Sequence, residues 1–164
     1  MNQLIIEQRH DGLLTLTMNR PDRRNALSAD LLDALLEALE PAAGDHAVRA
    51  VLLRGAGGIF SVGGDVKAMA DPNEWQGGLE ELTDSLRRRA RISELLHEMP
   101  KPTVAMIEKP AAGAGLSLAL ACDFRIAGAT AKITTAFAKV ALSGDFGGSY
   151  FLTKLVGSAK AREL

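Results

Sequence analysis

Two stretches of small residues suit chemistry carried by the backbone: Arg54-Gly-Ala-Gly-Gly-Ile-Phe-Ser-Val-Gly-Gly-Asp65 and Pro110-Ala-Ala-Gly-Ala-Gly-Leu-Ser-Leu-Ala-Leu-Ala-Cys-Asp123. Each follows a β-prone run, Val48 to Leu53 and Thr103 to Ile107, so each reads as a strand-to-helix turn. Free N–H groups at such a turn attract developing negative charge. Taken together, Gly58 to Asp65 and Ala111 to Gly115 offer one N–H each to a shared oxyanion site. Plain packing accounts for the same composition, because small residues also let a helix approach a sheet closely. The second stretch carries no charge before Asp123 and has no polar face, yet it is too short to span a bilayer. It belongs at the centre of a core.

Other chemistries lack their residues. Gly55-Ala-Gly57 and Gly113-Ala-Gly115 begin like a dinucleotide fingerprint, but Phe60 and Leu118 stand where its third glycine is required. Neither turn is a Gly-x-x-x-x-Gly-Lys phosphate loop. Ser61 and Ser117 lie outside any Gly-x-Ser-x-Gly elbow. His10, His46 and His97 have no metal-ligand spacing, and the single cysteine, Cys122, excludes both a disulfide framework and a cysteine metal cluster. The residues thus give no metal and no prosthetic group. A net charge of −1 argues against nucleic acid as a partner, and Arg87-Arg-Arg-Ala-Arg91 has carboxylates at helical spacing, Asp84 and Glu94, that make it a paired solvent face. No signal peptide or membrane segment is visible, which predicts a cytoplasmic protein.

The elements that position the two turns follow from periodicity. Leu4 to Ile6 and Leu13 to Thr17 flank Asp11-Gly12 and predict a hairpin. Ser28 caps a predicted helix with Leu31, Leu32, Leu35, Leu36 and Leu39 inward, ended by Pro41 and Gly44. Asp71 to Gly78 reads as a flexible loop, followed by a helix from Leu79 to Met99 that buries Leu82, Leu86, Leu95 and Leu96. Phe124 to Ala127 and Lys132 to Thr135 are short strands. Gly147 to Val156 is a helix that Gly157 ends, and another helix starts at Ser158. A length of 164 residues fits one α/β domain, 1–164, and an apolar content of 47% suits self-association.

Four blocks in order give the chain a resemblance to the crotonase superfamily, the enoyl-CoA hydratases and isomerases. They are Asn19-Arg-Pro through Asn25-Ala-Leu27, Phe60-Ser-Val-Gly-Gly-Asp-Val-Lys67, Ala112-Gly-Ala-Gly-Leu-Ser-Leu-Ala-Leu-Ala-Cys-Asp123 and Lys139-Val-Ala-Leu-Ser-Gly-Asp-Phe-Gly-Gly148. The resemblance implies a crotonase-like spiral of ββα units, truncated at the C-terminus, with a coenzyme A thioester as substrate. The family's further C-terminal helices build a trimer or hexamer, so a homo-oligomer is expected of a full-length chain. Departures are visible too: Glu108-Lys109 stands in place of a small or Asn-Gly pair, and Ala141 in place of a frequent glycine.

The resemblance also implies roles. It sets the thioester oxygen between the N–H groups of Val62 and Ala114, with Gly63 and Gly113 beside them. It brings Arg24, Ala26, Asp65 and Lys67 to the coenzyme A side. Ser117 stands at the first of the hydratases' two glutamate positions and Phe137 at or near the second, so neither glutamate is present. Asp145 then remains as the carboxylate that shuttles a proton in an isomerase-like reaction, with a helix N-cap as its alternative role. Enoyl-CoA isomerisation is the expectation. Hydration, dehalogenation or silent acyl-CoA binding are the alternatives.

Overall fold

The computed structural model describes residues 3–70 and 77–164. The predicted loop from Asp71 therefore lies mostly outside the described residues. Strands β1 (Ile5–His10) and β2 (Leu13–Met18) form the expected hairpin. Its turn places Asp11 and Gly12 at φ 47° and 83°, the paired positive values that an Asp-Gly turn accommodates. Strands β3 (Ala50–Gly55), β4 (Thr103–Ile107) and β6 (Phe124–Ala127) then extend a five-stranded sheet in the order β1-β2-β3-β4-β6. All pairings after the hairpin are parallel. A second small sheet pairs β5 (Ala111–Ala112) with β7 (Ile133–Thr134).

Alternation decides which face of the large sheet is covered. Leu14, Leu16, Val51, Leu53, Thr103, Ala105 and Ile107 are fully buried, and the register sets them side by side on one face. Against that face packs helix α1 (Ala29–Gly44), capped by Ser28, whose hydroxyl accepts the Leu31 N–H at 3.3 Å. Pro41 does not stop α1 as the sequence suggests. It lies in the last turn, and the helix ends where the Asp45 N–H reaches the Pro41 carbonyl.

A short helix α2 (Val66–Met69) follows the first glycine turn, and α3 (Leu79–Glu98) lies beside α1. Here a second expectation fails. Ile92 and Leu96 are buried, whereas Leu82 is only half-buried and Leu86 is 54% exposed, because the N-terminal turns of α3 run beyond its contact with the core. The basic run is paired, as expected of a solvent face, although across helices rather than only along one. Arg89 makes two hydrogen bonds to Asp33 at 3.0 and 2.9 Å, Arg91 reaches Glu40 and Arg87 reaches Asp84.

Helix α4 (Gly113–Ala121) occupies the centre. Every residue in it but Leu120 is buried, and it touches α3, β5 and the C-terminal helix α5 (Gly148–Glu163). Its C-terminus is fixed by Arg125, whose guanidinium donates to the Cys122 carbonyl at 2.6 Å, and by Asp123, whose carboxylate accepts the Thr103 N–H at 2.9 Å. Helix α5 is interrupted at Gly157, where φ 78° and ψ 161° leave the helical region, in keeping with the predicted stop and restart.

Candidate active site

The first turn is built by hydrogen bonds from distant segments. Asn25, fully buried and at φ 52°, donates its amide N–H to the carbonyls of Ala56 and Ile59 at 3.1 and 2.5 Å and accepts the Arg20 N–H at 2.8 Å. Leu27 bridges to Gly64, with the Leu27 N–H on the Gly63 carbonyl and the Asp65 N–H on the Leu27 carbonyl. These bonds change the expected donor. The Val62 N–H is spent on the Arg24 carbonyl at 3.3 Å, and the Gly63 N–H on the Ser61 hydroxyl at 3.1 Å. The Gly64 N–H meets no acceptor among the described residues. The Val62 N–H is thus engaged within the turn, and the Gly64 N–H, two residues on, is the one left open.

The second turn supplies its donors through a helix start. Ala112 is the N-cap of α4 and gives no side-chain cap, so the first N–H groups of the helix, that of Ala114 among them, have no protein acceptor among the described residues. Gly113 takes φ 50°, which re-aims the chain from β5 into the helix. The two turns are in contact. A Cβ on Gly63, itself at φ 93°, would stand 2.9 Å from the Ala112 carbonyl and 3.4 Å from the Ala114 nitrogen. Glycine at 63 is therefore needed both for conformation and for room, and the contact brings the Gly64 segment to the N-terminus of α4.

Beside this N-terminus lies a cavity of about 380 Å³ lined by Gly113, Leu116, Ser117, Phe137, Leu142 and Leu152, among others. Three of the residues singled out from sequence, Gly113, Ser117 and Phe137, thus share one wall system. Ser117 is buried, and its hydroxyl turns back to the Gly113 carbonyl at 3.4 Å, while Gly148 packs tightly on it. Leu116, Leu120, Phe137, Leu142 and Leu152 make the lining largely apolar, which fits an acyl chain.

Asp145 lies in the chain between Gly144 and Gly148, which line the cavity, although Asp145 itself is not among the lining residues. The alternative role as a helix cap is not what its side chain does. Helix α5 has Gly147 at its N-cap with no side-chain cap, and the Asp145 Oδ1 is buried without a hydrogen-bond partner. Burial pushes its carboxyl up from the usual 3.8 to about 6, against a smaller opposing effect of a backbone hydrogen bond. By contrast, burial lifts the Cys122 thiol to about 12, and that side chain is inert.

The residues expected on the coenzyme A side divide. Arg24 and Lys67 present exposed side chains, one on the strand of chain that binds Val62 and the other on α2 just after Gly64. Ala26 is buried, with its carbonyl already accepting the Arg20 guanidinium at 2.7 Å. Asp65 is likewise occupied. Its Oδ2 holds Arg20 at 3.1 Å and its Oδ1 accepts the Ala68 N–H at 3.3 Å, so both oxygens are engaged by the loop and by α2.

Asn25, Arg20, Ser61 and Gly64 shape the first turn without having been singled out as candidate site residues from the sequence. Their signal lay in the first two blocks, but nothing in their spacing shows which groups pair. Among the described residues there is no group of three or more metal-ligating side chains, and no helix long and apolar enough to cross a membrane.

The sequence model described as enoyl-CoA hydratase/isomerase matches residues 8–164. The 1,2-epoxyphenylacetyl-CoA isomerase of Escherichia coli K12 is 36% identical over 166 residues, covering 100% of this chain and 62% of its own length. The 4-chlorobenzoyl coenzyme A dehalogenase-2 of an Arthrobacter species is 34% identical, with 93% of this chain and 55% of its own length covered. The crystal structure of an enoyl-CoA hydratase from Polaromonas sp. JS666 superposes with a TM-score of 0.88 at 34% identity, covering 98% of this chain and 62% of that one. The chain therefore spans about three-fifths or less of the length of these proteins, and the α/β architecture is that of the crotonase fold. With the family's motifs at both glycine turns and its sequence pattern running from residue 8 to residue 164, the chain belongs to the enoyl-CoA hydratase/isomerase family.

Proposed function

We propose that this chain carries the active site of an acyl-CoA-acting enzyme that stabilises a thioester enolate, and that its reaction is the shift of an enoyl-CoA double bond. The observation that carries this reading is Asp145: a carboxylate with a buried and unpartnered Oδ1 and a carboxyl raised to about 6, on the segment whose Gly144 and Gly148 line the apolar cavity. Such a group is ionised at neutral pH yet basic enough to take a carbon-bound proton once the product is stabilised.

The steps balance on one carboxylate. Asp145 removes a proton from C2 of a 3-enoyl thioester, and the electron pair moves onto the thioester oxygen. The N–H groups of Gly64 and Ala114 receive that oxyanion. The protonated Asp145 then delivers the same proton to C4 as the charge returns, leaving the double bond between C2 and C3. Ser117 and Phe137 supply no second carboxylate to activate water, which favours this route over hydration. Arg24 and Lys67, exposed on segments that flank the Gly64 turn, are proposed to meet the phosphates of coenzyme A. Assembly as a homo-oligomer belongs to the same reading and is supported by Phe124 and Ile126, 60% and 61% exposed on the edge strand β6.

Asp145→Asn tests the assignment. Isomerisation of a 3-enoyl-CoA to its 2-enoyl isomer should fall by about 10²–10⁴ in kcat, the usual cost of a lost general base, with thioester affinity kept. An asparagine variant that isomerises at the wild-type rate would remove Asp145 from the reaction.

A further inference from the structure

We infer that Ser61 is a positioning residue for the oxyanion site, locking the two donor-bearing turns into one register through its buried hydroxyl and its carbonyl. The inference rests on the enolate-stabilising reading given above and adds to it a group that touches no substrate.

Three segments converge on Ser61, which is fully buried. Its hydroxyl donates to the Asn25 carbonyl at 2.8 Å and accepts the Gly63 N–H at 3.1 Å. Its carbonyl accepts the Ala112 N–H at 2.9 Å, and the residue forms a parallel bridge with Ala111. The hydroxyl is thus used once as donor and once as acceptor, without a spare proton for nucleophilic work. Its bond to Gly63 turns that N–H inward. The peptide that follows carries the free N–H of Gly64.

The carbonyl bond does the corresponding work on the other turn. Holding Ala112, it fixes the residue from which α4 starts, two positions before Ala114. Contact reinforces the hydrogen bonds, since a Cβ on Gly115 would lie 2.5 Å from the Ser61 Cβ and 2.6 Å from its Oγ. The helix has been allowed to approach until only hydrogen fits. The hydroxyl of Ser61 thereby sets the spacing between Gly64 and Ala114 from behind, where alanine would leave both the Asn25 carbonyl and the Gly63 N–H without a partner.

An oxyanion donor displaced by about 1 Å costs on the order of a hundredfold in rate while ground-state binding changes little. The test uses the full chain with butyryl-CoA carrying ¹³C at its carbonyl, read by exchange of its α-protons in D₂O and by the infrared carbonyl stretch of the bound thioester. Ser61→Ala is expected to lower kcat for exchange by about tenfold to a hundredfold with KM within about twofold, and to move the bound carbonyl stretch back toward its value in water. Ser61→Cys keeps the shape with a weaker hydrogen-bonding group and should fall between the two; it carries the same test where the alanine variant does not fold. Exchange and stretch unchanged in a folded variant overturn the role of Ser61 while leaving the enolate reading intact, and so does a loss confined to KM. A wild-type protein that exchanges no α-proton and shifts no carbonyl overturns the reading and this inference together.

Discussion

At the scale of single residues, backbone donors and side-chain bases were legible to different degrees. That a small-residue turn before an uncharged helix offers N–H groups can be read from Ala111 to Gly115, because the chemistry needs no particular side chain. Which N–H of the first turn is free cannot be read there. Val62 and Gly64 differ only in whether a carbonyl from Arg24, far away in sequence, is there to accept. Asp145 was identified by family likeness, and its choice between base and cap rests on a partner that is absent from the Oδ1. Ser61 lies outside any nucleophile motif, and its hydrogen-bond partner Asn25 lies 36 residues away and leaves no trace in local spacing. Ala114→Pro is the corresponding backbone test. Proline is tolerated in the first turn of a helix and removes one N–H, so a folded variant should lose about 10²–10³ in kcat with its helical circular dichroism kept. Undiminished turnover in that folded variant would take the oxyanion site away from the start of α4.

At the scale of elements, periodicity was a good guide where one face is buried and a poor one where an element outruns its partner. The leucine stripe of α1 is buried as read, yet Pro41 is inside the helix, since a proline in the last turn removes only one hydrogen bond near an end that is already fraying. In α3 the same periodicity promised burial for Leu82 and Leu86, but the described residues place no cover over the N-terminal turns. The fit of α4 is the element-scale feature with the largest consequence. Gly115→Ala adds a methyl within 2.5 Å of the Ser61 Cβ, a buried neighbour tied on both sides, so α4 has to move away from the first turn. A loss of about 1–3 kcal/mol is expected from overpacking, and kcat should fall by more than this stability change explains, because the helix carries one of the two donors. Thermal unfolding and initial rates on the same preparation check this. A variant with lowered Tm and unaltered kcat would show that the spacing between α4 and the first turn is not set at Gly115.

At the scale of the molecule, the hairpin followed by parallel strands, with α4 enclosed between α3 and α5, concentrates an ionisable group where water is scarce. That has a cost in stability whose sign follows from the raised carboxyl of Asp145. A group with a folded-state pKa above its unfolded value favours the fold below the unfolded pKa and ceases to do so as pH rises through the folded one. Between about pH 4 and pH 6 the wild-type protein should therefore lose stability relative to Asp145→Asn. The asparagine variant should melt higher at pH 7 to 8, with the gap closing toward pH 4. Equal melting temperatures across that range would mean that the carboxylate is solvated in the folded protein. The same titration governs activity in the opposite sense, since only the ionised form can accept a proton. The most direct measurement is the pH dependence of α-proton exchange from a saturated acyl-CoA into D₂O, with wild type and Asp145→Asn side by side. The wild-type rate should rise through an inflection near pH 6 to a plateau, and the variant should stay at least about a hundredfold below it at every pH. A flat wild-type profile, or exchange retained in the variant, would contradict the assignment of Asp145 as the base.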